Sequence, residues 1–271
     1  MNTGITRQNV RESAGACLAG FPAMVAFVVL FIWAMHEMGP HLMDFLSNVG
    51  FLRRMMELAF GITISGEMSS NILHSIPWLH PVVLVIAWGI LIATATRQTA
   101  GDVESGIAEL ILTLPVSRIR ILVSGVVCLV LVADGLSLAP MVGLLVGNLL
   151  VPPPEPVAWS RFGIVMVNFL ALNLAVAALA TLAGSGLLRR GRAVALTGGW
   201  MMGGLAMNFL EPFLPAVHQI RWIHLLNWYR PAEIVRSGEW PVVPIAVLCS
   251  VAVVSWTVSV MVWNRRDIPA A

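Results

Sequence analysis

There is no lysine in this sequence, and all sixteen basic residues are arginine. A phosphate-binding loop of the GxxxxGK[ST] type needs its lysine to reach nucleotide phosphates, so these 271 residues cannot form one. Any ATP-driven work must come from another polypeptide. Charge of either sign is scarce too: 11% of residues are charged and 58% hydrophobic, with a mean hydropathy of +0.85, whereas ordinary soluble domains are about 25% charged. A soluble globular fold is excluded, and an all-α polytopic membrane protein is expected. The three cysteines, Cys17, Cys128 and Cys249, fall in separate apolar segments without CxxC spacing, so neither a disulfide framework nor a structural zinc site is expected.

What the chain does have is apolar length. A hydrocarbon core takes roughly 20 apolar residues, and six stretches qualify, at about 17–35, 76–96, 119–147, 162–188, 193–209 and 242–263. They read as one transmembrane domain covering 1–271. The run from Cys17 lacks a small-residue cleavage pattern and reads as a span, preceded by a short polar surface helix at 1–16. A loop with Gly39-Pro40 then leads to a patch from Phe45 to Ile64 that is too charged to cross and is expected on the surface. Pro77 and Pro81 open span two, and Asp134-Gly135 and Pro140 lie within span three. Gly199 and Gly203 in span five have the small-xxx-small spacing that lets helices approach closely. Residues 211–240, with Pro212, Pro215 and Pro231 around an aromatic middle, read as a pair of short re-entrant helices before span six.

Six spans put both termini on one side, together with the segment 97–120 and the turn at Arg189, Arg190 and Arg192. Ten of the sixteen arginines lie there (7, 11, 97, 118, 120, 189, 190, 192, 265 and 266), which makes that side the cytoplasm by the positive-inside rule.

The stretch from Arg97 to Arg120 mixes both charge signs with a helical apolar stripe. On a helix from Asp102 to Leu114, residues Val103, Ile107, Leu110, Ile111 and Leu114 share one face, opposite Asp102, Ser105, Glu109 and Thr113. Gly101 would loosen the entry, Asp102 and Glu104 would complement the dipole in the first turn, and Pro115 would end the helix. Ser117 can cap the next helix, and Arg118 and Arg120 suit the water side. Leu112 is an apolar knob on the polar face, which makes sense when something other than water covers it.

The run Glu104-Ser-Gly106-Ile-Ala-Glu109-Leu-Ile-Leu112-Thr-Leu-Pro115-Val-Ser-Arg118, between spans two and three of six, resembles the signature loop of ABC-2 type permeases, the membrane subunits of bacterial ATP-binding-cassette exporters. Asn264-Arg-Arg-Asp267-Ile likewise resembles that family's ending after span six. The chain departs from the pattern at Ile107, where Thr is usual, and in lacking a Lys early in span three. The resemblance implies a coupling helix, with Asp102, Glu104, Gly106, Glu109, Leu112, Pro115 and Arg118 engaging a separate ATPase. It further implies a bacterial inner-membrane exporter working as a dimer with a second copy or a paralogue. ATP and Mg would sit on the partner ATPase, with no cofactor on this chain. The expected partners are thus ATPase subunits, a second permease and lipid, and not nucleic acid.

Other candidate residues fall outside that loop. Asp134 near the middle of span three is costly when ionised and is expected to face an interior or aqueous path, with Asn168 or Asn173 of span four as partners, or else to pin helix packing. Met38 between His36 and His41 puts soft donors together and is a weak copper candidate, against a plain reading as interface residues. Its spacing is not HExxH. Trp222, Trp228, Tyr229 and Trp240 read as an aromatic belt and packing for the re-entrant segment. An intramembrane hydrolase would need paired catalytic groups, and an ion-driven transporter would need an inverted repeat with broken helices; neither signal is present.

Overall fold

Away from water, a main chain must satisfy its own hydrogen-bonding groups, which restricts a chain this apolar to helices or a closed barrel. The computed structural model takes the first route; it describes residues 3–48, 69–108, 113, 116–211 and 213–266, with side chains of the first helix from 7 to 38. Helix α1 spans Thr3–Asn48, α2 Ser70–Leu79 and α3 Pro81–Thr96. A π-helical turn at Arg97–Gly101 continues into the short α4, Asp102–Glu104. There follow α5 (Arg118–Leu150), α6 (Trp159–Gly186), α7 (Arg190–Leu210), α8 (Pro215–Gln219), α9 (Pro231–Ser237) and α10 (Val242–Arg265). No strand occurs among the described residues. Six helical stretches are long and apolar enough to cross a membrane: Arg7–Met38, Ser70–Glu104, Arg118–Leu150, Trp159–Gly186, Arg190–Leu210 and Val242–Arg265.

Two local expectations need correction, and a third falls mostly outside the described residues. The polar N-terminal residues are not a separate surface helix, because α1 runs unbroken from Thr3 through Gly39 and Pro40 to Asn48. A proline removes one hydrogen bond from a helix but does not have to end it. Most of the surface patch expected at 45–64 lies outside the described residues. Span two, in turn, has a joint: Pro77 sits inside α2, and His80 adopts extended backbone before Pro81 restarts the helix. The His80 ring accepts from the Val82 N–H at 3.3 Å, and proline at the first helical position has no N–H to leave unpaired.

Helix α6 occupies the centre, packed on α3, α5, α7 and α10. Its sequence explains why. From Ala171 to Ala180 nearly every residue is buried, and five of them are alanines, so neighbours reach its backbone from all sides. With lipid as apolar as the core, such close dispersion packing holds the helices together. Small residues serve α1 and α5 likewise: Gly143 and Gly147 of α5 lie against Val28 and Ile32 of α1. The small-xxx-small pair anticipated in span five behaves otherwise, since Gly199 and Gly203 are exposed with nothing within 4 Å of where a Cβ would stand.

At the end of the bundle where α6 begins, the segment between α7 and α10 is anchored by Tyr229, the only tyrosine in the chain. Its ring is buried 5.5 Å from Phe169, which meets Trp78 edge-on at 6.0 Å, and its hydroxyl donates to the Trp78 carbonyl at 3.1 Å. Trp222 and Trp240 of the same segment stay exposed, so the four aromatics divide between anchoring and surface. Arg161 donates to the Val235 carbonyl at 2.7 Å and fixes the end of α9.

Candidate functional site

The chain leaves the bundle at Ser105 and re-enters it at Ser117, both at its arginine-rich end. The expected continuous helix from Asp102 to Leu114 is not what stands there. Gly101 does not loosen the entry: its backbone is helical, and α3 passes through the π turn into α4 without a break. The Asp102 N–H reaches back to the Arg97 carbonyl, five residues earlier, and Thr96 and Thr99 return their hydroxyls to the Ile92 and Ala95 carbonyls at 2.7 and 2.8 Å. A π turn of this kind frees carbonyls, and threonines satisfy them. The helix then stops at Gly106, whose φ of +72° is open to glycine at little cost.

Asp102 and Glu104 therefore lie at the end of a long helix, not in the first turn of a new one. Glu104 makes a different contact: its carboxylate accepts the Arg190 N–H at 2.8 Å, at the first residue of α7, where a helix leaves its N–H groups unpaired. The Arg190 side chain donates to the Ala93 carbonyl of α3 at 3.2 Å. Arg97 pairs with Glu12 of α1. Asp102, half-buried, lies within the field of Arg97, Glu12 and Arg190.

The π turn is wedged between two helices. Thr99 lies where a side chain on Gly184 of α6 would go, and Gln98 Oε1 lies 2.9 Å from the place of a Cβ on Gly125 of α5. Gln98 is buried with neither amide atom hydrogen-bonded among the described residues, beside a cavity of about 20 Å³ that Asp102, Gly125 and Thr181 also line.

On the return side, Ser117 caps α5 by accepting from the Arg120 N–H at 3.4 Å. Arg118 donates to the main-chain carbonyl of Arg266 at 2.6 Å. Arg266 in turn donates to the carbonyls of Gly184, Ser185 and Leu187 at 2.8–3.1 Å, closing the C-terminus of α6 where the last carbonyls carry partial negative charge. Burial lowers the Arg266 pKa from its ordinary value, and a guanidinium stays charged regardless. This role of Arg266 was missed; the dipeptide reads simply as the end of span six, and its partner is supplied by tertiary packing alone.

Of the residues expected to couple, the structure brings Glu104, Gly106 and Arg118 to one end of the bundle with Asp102. Glu109, Leu112 and Pro115 lie outside the described residues. The intramembrane polar residues separate. Asp134 is exposed on α5, while Asn173 donates to Ser137 at 3.0 Å and Asn168 to the Trp228 carbonyl at 3.3 Å, so neither asparagine partners Asp134. His36 and Met38 are exposed on α1, and the His41 side chain is outside the described residues. Among the described residues no group of three or more His, Cys, Asp or Glu side chains is placed to hold a metal.

No protein-family model matches the chain, and no curated protein sequence matches it either.

Proposed function

We propose that the chain is the membrane-spanning subunit of an ATP-binding-cassette exporter of the ABC-2 type, resident in a bacterial inner membrane with both termini cytoplasmic. A separate ATPase drives it through the segment 102–118. One observation carries the reading: the flanks of that loop are tied to the ends of α6, α7 and α10 through Glu104–Arg190, Arg118–Arg266 and the Arg266 cap. A push on the loop then moves several membrane helices together. The missing lysine is consistent with this division of labour, and the largely apolar run after Gly106, with Glu109 and Leu112 in it, suits a groove on a partner. The chain itself makes and breaks no bonds.

A second copy or a paralogue completes the transporter. The open glycine face of α7 supports such a dimer, since close backbone approach is what Gly199 and Gly203 permit and nothing among the described residues uses it. Substrate passes at the interface between the two subunits. The test is affinity purification of the tagged chain from its own membranes: an ATPase chain bearing a phosphate-binding loop is expected to co-purify, with vanadate-sensitive ATP hydrolysis. Transport by the purified chain with no ATPase present contradicts the reading.

A further inference from the structure

Opposite the arginine-rich end, a cavity of about 210 Å³ opens between α6, α9 and the start of α10, walled by Asn168, Trp228, Arg230, Glu233, Glu239 and Trp240 among others. We propose that it binds a small organic cation, an ammonium or methylated ammonium group. The proposal is independent of the transport reading.

Charge sets the sign of the ligand. Two carboxylates and one guanidinium line it, and Arg230 donates from Nη2 to Asn227 Oδ1 at 3.1 Å and from Nε to the Asn227 carbonyl at 3.4 Å. An anion would meet two carboxylates against one guanidinium, whereas a cation meets a net negative wall. Two indoles, Trp228 half-buried and Trp240 exposed, supply the aromatic faces that attract ammonium groups.

Asn168 backs the same wall. It is fully buried; its Nδ2 donates to the Trp228 carbonyl and so holds that residue's backbone at the cavity, while among the described residues its Oδ1 has no hydrogen-bond partner. The paired indoles favour an organic cation over a bare ion, since an ammonium bearing carbon groups uses the aromatic faces as well as the carboxylates. Size narrows the class further: drug-sized molecules use pockets of about 300–1,000 Å³, and this one is smaller. Ligands on the scale of choline or ethanolamine fit, either free or as a lipid headgroup presenting the same chemistry.

The experiment is calorimetric titration of the purified full-length protein in detergent micelles with tetramethylammonium chloride, against sodium chloride at equal ionic strength. Saturable binding is expected, weakened about tenfold by Glu233→Gln with Glu239→Gln and severalfold by Trp240→Ala. Elution and melting of each variant report folding, and the single Glu233→Gln variant carries the comparison should the double one not fold. Nanodiscs separate the sources. Competition by phosphatidylcholine but not phosphatidylglycerol assigns a headgroup, and equal titration in both assigns the free cation. Absence of saturable heat above the sodium control, unchanged affinity in the carboxylate variants, or saturable phosphate binding abolished by Arg230→Gln overturns the proposal.

Discussion

Arg118 and Arg266, 148 positions apart in the chain, are joined by a hydrogen bond from the Arg118 guanidinium to the Arg266 carbonyl at 2.6 Å, while the Arg266 guanidinium closes the end of α6. The start of α5, the end of α10 and the end of the central helix are thereby held at one point. Arg266→Ala removes a charged donor from the Gly184, Ser185 and Leu187 carbonyls. It should destabilise the protein by about 2 kcal/mol, the scale of hydrogen bonds to a charged group. Arg266→Lys should recover less than half, because an ammonium lacks the planar fork. Chemical denaturation in mixed micelles reads both, and equal stability of the alanine variant contradicts the capping role.

Gly184→Ala places a methyl group against Thr99 in the π turn, a site where something must shift. Overpacking of this kind costs about 1–3 kcal/mol. Thr99→Ala removes the hydroxyl but keeps the β carbon, so the double variant should recover part of the loss. A double-mutant cycle with no coupling between the two positions would show that the turn does not bear on α6.

These contacts mark where sequence reasoning reached and where it stopped. Six spans were legible because apolar length reports directly on burial in lipid, and Ser117 was legible as a cap because a hydroxyl before a helix has a local role. The π turn was not: an i, i+3, i+4 stripe through Val103 and Ile107 looks continuous whether or not the backbone slips a residue at Arg97–Gly101. Gly106 was the available signal for a break, since glycine inside a helical pattern often marks its end. Glu104 fitted the first turn of its own helix equally well, and only the fold shows that it caps α7. Gly199–Gly203 and Gly143–Gly147 share one spacing, and the fold buries the second pair while leaving the first open.

Tyr229→Phe keeps the ring against Phe169 and loses the hydrogen bond to the Trp78 carbonyl. A loss of about 1–2 kcal/mol is expected, since a buried acceptor is left without its donor. Tyr229→Ala also empties the site and should cost about 3–5 kcal/mol, as large aromatic truncations do. Thermal melting with near-ultraviolet circular dichroism distinguishes the two. Equal effects would mean that the ring contributes nothing beyond the hydroxyl.

Asp134 is exposed on α5, away from both asparagines of α6. Asp134→Asn and Asp134→Leu should therefore each leave the stability of the purified single chain within about 0.5 kcal/mol, as surface substitutions do. A loss with leucine that asparagine spares would reveal a hydrogen-bonded packing role within the chain and contradict the exposed placement.

The central claim is that the segment after Gly106 receives its force from a nucleotide-binding partner. Leu112→Asp and Glu109→Arg should abolish co-purification with the ATPase while leaving membrane insertion intact. The most direct measurement is site-specific photo-cross-linking from position 112 in intact cells. The account predicts an adduct with a chain that carries a phosphate-binding loop, weakened by Glu109→Arg. Adducts formed only with lipid or with a second copy of this chain would contradict it.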